Sequence, residues 1–233
     1  MFASASGLLR GGVAGSAMHC CMSMMVSAVS GVGMTGPFSG TKRACAALPS
    51  RPGRNKKIRT SARGSKRMLY GSALKTAHLT IRPFRPEDVE PLVTLFADPL
   101  VHQFVDEGLP LSQDVARLWV ARSNENLASF GFGTGAVVEN ASGRLIGWAG
   151  FARPGDGSEE LIYGLAADRW GQGLGRELLE SLLRFAESRV ISPVRATVDP
   201  RNDRSIALLT AAGFRLAERG HRGDPDSDLY LLT

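Results

Sequence analysis

The sequence predicts an α/β (α+β) domain over residues 76–233, with a mixed central sheet of about seven strands and about four helices, behind a basic extension at residues 1–75. Three observations carry that prediction. Charge divides the chain: no Asp or Glu precedes Glu87, so all 22 acids face only the 14 arginines after it, a net charge of −8, while the other 14 of the 28 basic residues lie before it. Within the acidic part the apolar period switches between helical spacing and strict alternation. Three glycines then alternate in "GQGLG", directly before a run with helical spacing.

The extension is rich in Ser, Ala, Gly, Met and Arg and holds every lysine of the chain, the last being Lys75. Such a composition fits a transit peptide for an organelle matrix, and it also fits a mispredicted start with Met68 as the true initiator of a cytoplasmic protein. On either reading it is expected to be disordered. Cys20, Cys21 and Cys45 all lie there, which leaves the domain without a disulfide, a zinc site or a thiol nucleophile. The basic balance belongs to the extension, so no nucleic-acid partner is expected. No apolar run approaches the roughly 18 residues that cross a bilayer, so no membrane partner is expected.

The elements follow in order. "LTIRPF" (79–84) alternates apolar with polar residues and reads as a half-buried strand. In "PEDVEP" Asp88 can cap a helix whose first turn tolerates Pro91, with Val89, Leu92, Val93 and Phe96 on the buried face. "VHQFVDEGLP" reads as a loop or short turn structure. A second helix starts after Ser112 and turns Val115, Leu118 and Trp119 inward, though its later half, "SNENLASF", is weakly periodic. "GAVVE" and "RLIGWAGFA" flank "NASG" and predict an antiparallel hairpin. The strand "ELIYGLA" leads into the glycine run. After it, Leu174, Leu178, Leu182 and Phe185 recur at spacings of four, four and three, a helix with one buried face. "VRATV", a short helix ended near Gly213, and the strands "FRLAER" and "DLYLLT" complete the domain.

The glycines raise a chemical expectation. A helix N-terminus presents backbone N–H groups without internal partners and about half a positive charge. Gly171, Gly173 and Gly175 remove the Cβ atoms that would hold a ligand away, so the N–H groups can converge on a phosphate, with Arg176 adding a cation. A Walker loop would end in Gly-Lys-Ser/Thr, and this one ends Gly-Arg-Glu. The GxGxG spacing, with so little chain after Gly175, is also wrong for a Rossmann sheet.

"DRWGQGLGRELLESLLRFA", followed by "VDPRNDRSIALLTAAGF", resembles the acyl-CoA-binding core of the GNAT acetyltransferase superfamily, nearest the branch of ribosomal-protein N-terminal acetyltransferases. "LTIRPFRPEDVEPLVTLFADP" and "LIGWAGF" resemble that branch too. The resemblance implies a GNAT fold and a backbone cradle for the pyrophosphate of acetyl-CoA at Trp170, Gly171, Gln172, Gly173, Leu174, Gly175 and Arg176. Trp170 stands where the family's signature has Gln or Arg. The resemblance further implies that a splayed strand leaves backbone groups of about Leu165 and Ala166 open to the pantetheine arm, and that Asn202 lies near that arm. Acetyl-CoA would be the co-substrate and a primary amine, a protein N-terminus or a small molecule, the acceptor. No metal is expected, and the protein would act as a monomer or homodimer.

The reaction so implied is direct attack of the amine on the thioester. At pH 7 only about one alkyl amine in a few thousand is unprotonated, so a base must take the proton and a donor must hold the developing oxyanion. Glu160, opening the strand that leads to the cradle, is the expected base, with Glu159 as the alternative, and a backbone N–H near Leu165 or Ala166 the expected oxyanion donor. Where many relatives carry a Tyr to reprotonate the thiolate this sequence has Leu209, so Ser205 is the candidate acid. Tyr163, Trp148 and Phe151 read as core, and His102 and His221 as surface. The missing Tyr keeps a non-catalytic acyl-CoA-binding or sensor domain open as the alternative.

Overall fold

The computed structural model describes residues 73–106, 108–153 and 158–233. Residues 1–72, and with them nearly all of the expected extension, lie outside the described residues. Strand β1 (Leu74–Lys75) pairs antiparallel with β2 (Leu79–Pro83), Leu74 opposite Ile81, so paired structure begins before residue 76. In β2 the alternation holds: Leu79 and Ile81 are buried, Thr80 and Arg82 only half-buried.

A 3-10 turn, Pro86–Asp88, leads into helix α1 (Val89–Leu95). Asp88 does not cap it. Its carboxylate accepts the Arg85 backbone N–H at 2.7 Å and a two-point contact from Arg82 at 2.6 and 2.8 Å, a charge-assisted fork that closes the turn back on β2. Helix α2 (Pro99–His102) overlaps the stretch expected as loop or short turn structure, because the Asp98 carboxylate accepts the Leu100 N–H at 2.9 Å and Pro99 suits the first helical position. Helix α3 (Gln113–Phe130) is capped by Ser112 and stopped by Gly131 in the left-handed region. It continues through "SNENLASF" because the polar residues there bond inward: Ser123 to Thr134, and Asn124 Nδ2 to the Phe84 carbonyl at 3.2 Å.

Strands β3 (Thr134–Glu139) and β4 (Leu145–Ala152) form the expected hairpin, and β5 (Glu160–Leu165) pairs antiparallel with β4 along its whole length. Asn140 in the hairpin link donates its amide to the Thr76 and Ala77 carbonyls, both at 3.2 Å, and so ties the link to the start of the domain. Helix α4 (Leu174–Arg189), β6 (Val194–Val198), α5 (Asp203–Ala211), β7 (Arg215–Glu218) and β8 (Asp228–Leu232) follow. The eight strands make one sheet in the order β1-β2-β3-β4-β5-β6-β8-β7. Against the expected count, β1 and α2 are the additions.

Successive residues of a strand face opposite ways, and this sheet uses both faces. Val137, Ala149, Leu161 and Leu165 join Leu178, Leu182 and Phe185 of α4 and Leu209 of α5 in one core. Ala136 and Trp148 join Leu92, Phe96 and Trp119 of the α1–α3 layer in the other. Burial of a leucine such as Leu178 or Leu182 contributes about 1.5–3 kcal/mol, so the spacing of α4 fixes its docking. Trp148 and Phe151 belong to these cores, as expected; Trp148 packs 4.6 Å from Phe96 between ring centroids.

Among the described residues the sheet has one parallel junction. Among the described residues β5 and β6 pair only through Glu160 opposite Arg195. Beyond that point β5 stays with β4 and β6 with β8, so a wedge opens between them toward the C-terminal end of β5, where the chain turns into α4.

Among the described residues no helix is long and apolar enough to cross a membrane.

Candidate active site

The tip of α4 adjoins the wedge. Gly171 and Gly173 have φ of +74° and +81°, the left-handed region, and a Cβ added to either would meet nothing within 4 Å. Gly173 is the N-cap, and among the described residues no side chain caps the amides that follow it. Gly175 differs: its added Cβ would stand 3.3 Å from Leu208 Cδ2, so it serves the close approach of α4 to α5. Two of the three glycines therefore shape an open cradle and the third packs helices. Trp170 does not point into that cradle. Its Nε1–H donates to the Leu165 carbonyl at 2.9 Å, and Arg204 lies over its ring at 4.5 Å, so it braces the end of β5 against α5. The Gln172 side chain donates to the Asp168 carbonyl at 2.9 Å, Leu174 is buried, and Arg176 is exposed on the first turn of α4.

Helix α4 is tied down at that end. The backbone N–H and Nδ1 of His78 both donate to Glu177, each at 2.8 Å. Burial alone would push the Glu177 carboxyl up, but the bonds from Thr76 and His78 outweigh it and hold the group at about 2, below its usual 4.5. A carboxyl depressed on folding adds stability above its unfolded value and loses it as pH falls through the folded one. Wild type is thus expected to lose more thermal stability than Glu177→Gln between pH 5 and pH 2, as followed by the unfolding midpoint.

The backbone along the wedge differs from the expectation at one residue. The Ala166 N–H donates to the Ile146 carbonyl at 2.7 Å, and the Leu165 carbonyl is taken by Trp170. In an antiparallel pair the hydrogen-bonding groups of alternate residues point to opposite sides. Since Ala166 bonds toward β4, the Leu165 N–H and the backbone groups of Tyr163 point toward the wedge. Ala166 is no open donor; Leu165 and Tyr163 are.

Glu160 stands at the narrow end of the wedge, 6 % exposed. Thr197 on β6 donates to its Oε1. Burial pushes its carboxyl up, against the opposing pull of Thr197, Arg222 and His221. It shares its face of β5 with Ile162, which packs in the α1–α3 layer. Glu159 faces the other way, 3.9 Å from Arg153. His221 is buried, not a surface residue, and its Nδ1 meets Glu218 Oε2 at 2.6 Å; His102 is also buried and donates Nδ1–H to the Phe96 carbonyl at 2.7 Å. Lone loop histidines read as solvated because their partners lie three or more residues away in fold geometry that spacing does not reveal.

On the opposite face of β5, Tyr163 packs against the core beside α4 and α5. Ser205 sits in the first turn of α5, where the Asn202 side-chain Oδ1 accepts its backbone N–H at 3.1 Å. Asn202 is thus the N-cap of α5 through that oxygen. Glu160 and Ser205 do not touch; the sheet and its wedge lie between them, with Tyr163 on the Ser205 side.

A family model described as acetyltransferase (GNAT) domain matches residues 78–215. The uncharacterized N-acetyltransferase p20 of Bacillus licheniformis is 25% identical over 145 residues, 61% of this chain and 82% of that protein. Among solved structures, an acetyltransferase from Agrobacterium tumefaciens str. C58 superposes with a TM-score of 0.61 at 24% identity, over 69% of this chain and 94% of the other. The ribosomal L7/L12 alpha-N-protein acetyltransferase RimL, in complex with coenzyme A, gives 0.59 at 17% identity, over 69% and 97%. At such identities the likeness is one of fold.

Proposed function

Since the chain belongs to the acetyltransferase (GNAT) domain family and is an acyltransferase, we propose that it moves an acetyl group from acetyl-CoA to a primary amine by direct attack. The carrying observation is the junction of the wedge with the tip of α4, whose amides have no side-chain cap and whose Gly171 and Gly173 leave open space where side chains would stand. Such a tip suits a pyrophosphate, and the wedge offers unpaired strand backbone to an extended amide-bearing arm. The residues present fit coenzyme A in chemistry. The Leu165 N–H is the backbone donor best aimed to hold the oxyanion.

Glu160 takes the amine's proton. Its burial raises its basicity toward working pH, which favours a general base. Ser205, across the sheet, serves the departing thiolate side. An amine approaching from the α1–α3 face and a thiolate leaving toward α5 then keep the two proton transfers apart. The net charge of −8 after residue 86 would gather cationic acceptors, and RimL, a relative in fold, acts on a protein α-amine. We therefore favour a protein N-terminus over small polyamines.

The test is acetyl transfer by the purified full chain to N-terminal peptides, spermidine and an aminoglycoside, read by mass spectrometry as the gain of one acetyl group. Acetyl-CoA binding without product from any acceptor would favour the non-catalytic module, whose sequence support is Leu209 at the position of the family's Tyr.

A further inference from the structure

Tyr163 carries a feature its sequence context hides. Its hydroxyl is buried and makes no hydrogen bond among the described residues. Leaving a buried hydroxyl unpaired costs about 1–3 kcal/mol, which a phenylalanine at the same position would avoid. Burial pushes it up to about 12, although the Ser205 hydroxyl approaches closely enough to draw it back a little. The group is therefore a hydrogen-bond donor at every working pH. Its strand position completes the picture: backbone facing the wedge, side chain on the α4 and α5 face, three residues after Glu160 and turned the other way.

Resting on the acetyl-CoA reading above, we propose that Tyr163, more than Ser205, donates to the sulfur of the departing coenzyme A thiolate. As the amine nitrogen bonds to the thioester carbon, the carbon–sulfur bond breaks with its electron pair on sulfur. The phenolic O–H donates to the sulfur as that charge develops and keeps its own proton, and the thiolate takes a proton from solvent as coenzyme A leaves. Tyr163 would then fill, from the strand, the place that Leu209 leaves empty of a donor on α5. The orphaned hydroxyl has its partner only when the carrier is bound.

The experiment needs no acceptor. Coenzyme A is bound at saturation to the full chain, and the ultraviolet absorbance of its thiolate is followed against pH for wild type, Tyr163→Phe and Ser205→Ala. A donor on the sulfur favours the thiolate, so at pH 8 the thiolate fraction should be about tenfold higher on wild type and Ser205→Ala than on Tyr163→Phe. Identical titration of wild type and Tyr163→Phe overturns the proposal. So does a loss of the effect in Ser205→Ala alone, which would assign the donor to Ser205. Failure of wild type to bind coenzyme A would instead overturn the acetyl-CoA reading, and this proposal with it.

Discussion

Replacing Glu160 with glutamine is expected to lower acetyl transfer by about 10²–10⁴-fold while leaving acetyl-CoA affinity unchanged. Glutamine keeps the shape and can still accept from Thr197, but it cannot take a proton from an ammonium. Affinity should hold because Glu160 opens β5 and the α4 tip follows its far end, about 16 Å along the strand at 3.3 Å per residue. The fold should hold as well, since removing a buried charge removes its desolvation cost. Burial raises the carboxyl, so the acid limb of the wild-type rate profile should fall above the ordinary glutamate range and vanish in the variant. Steady-state kinetics across pH, with calorimetry of acetyl-CoA binding, reads both. Undiminished turnover, or an acid limb that survives the change, would strip Glu160 of the base role.

What the sequence made legible was whatever depends on near neighbours. The α4 face follows from spacings of four, four and three, the hairpin from its alternation and polar link, and the left-handed glycines from their place before a helix. Contacts across long separations were not legible. Ser123 and Asn124 look like breaks in a helical pattern because their partners, Thr134 and Phe84, lie 11 and 40 residues away. Asp88 reads as a cap until Arg82 and Arg85 claim it. The environment of Glu160 depends on Thr197, 37 residues downstream, and on the turn that holds His221. Tyr163 reads as core on its apolar strand, since nothing local says that its hydroxyl would lack a partner. Gly175 looks equivalent to its two predecessors, and only the approach of Leu208 separates it from them.

That separation makes Gly173→Val the sharper test of the cradle. Valine at φ of +81° is strained by about 1–2 kcal/mol, so the variant should unfold more easily whether or not the site binds anything. Its side chain, however, meets no protein atom near Cβ; it enters the space toward which the uncapped amides of α4 point. If a pyrophosphate occupies that space, the dissociation constant for acetyl-CoA should rise by about 10²-fold, roughly 2.7 kcal/mol. Strain and occlusion are told apart by Gly143→Val. Gly143 also lies at positive φ, +70°, with open space around its Cβ, but in the β3–β4 link and not on α4 or the glycine run before it. The two variants should lose similar stability by urea titration, and only Gly173→Val should lose affinity by calorimetry. Equal affinity in both would move the diphosphate away from this helix tip, and the proposed reaction would lose its anchor.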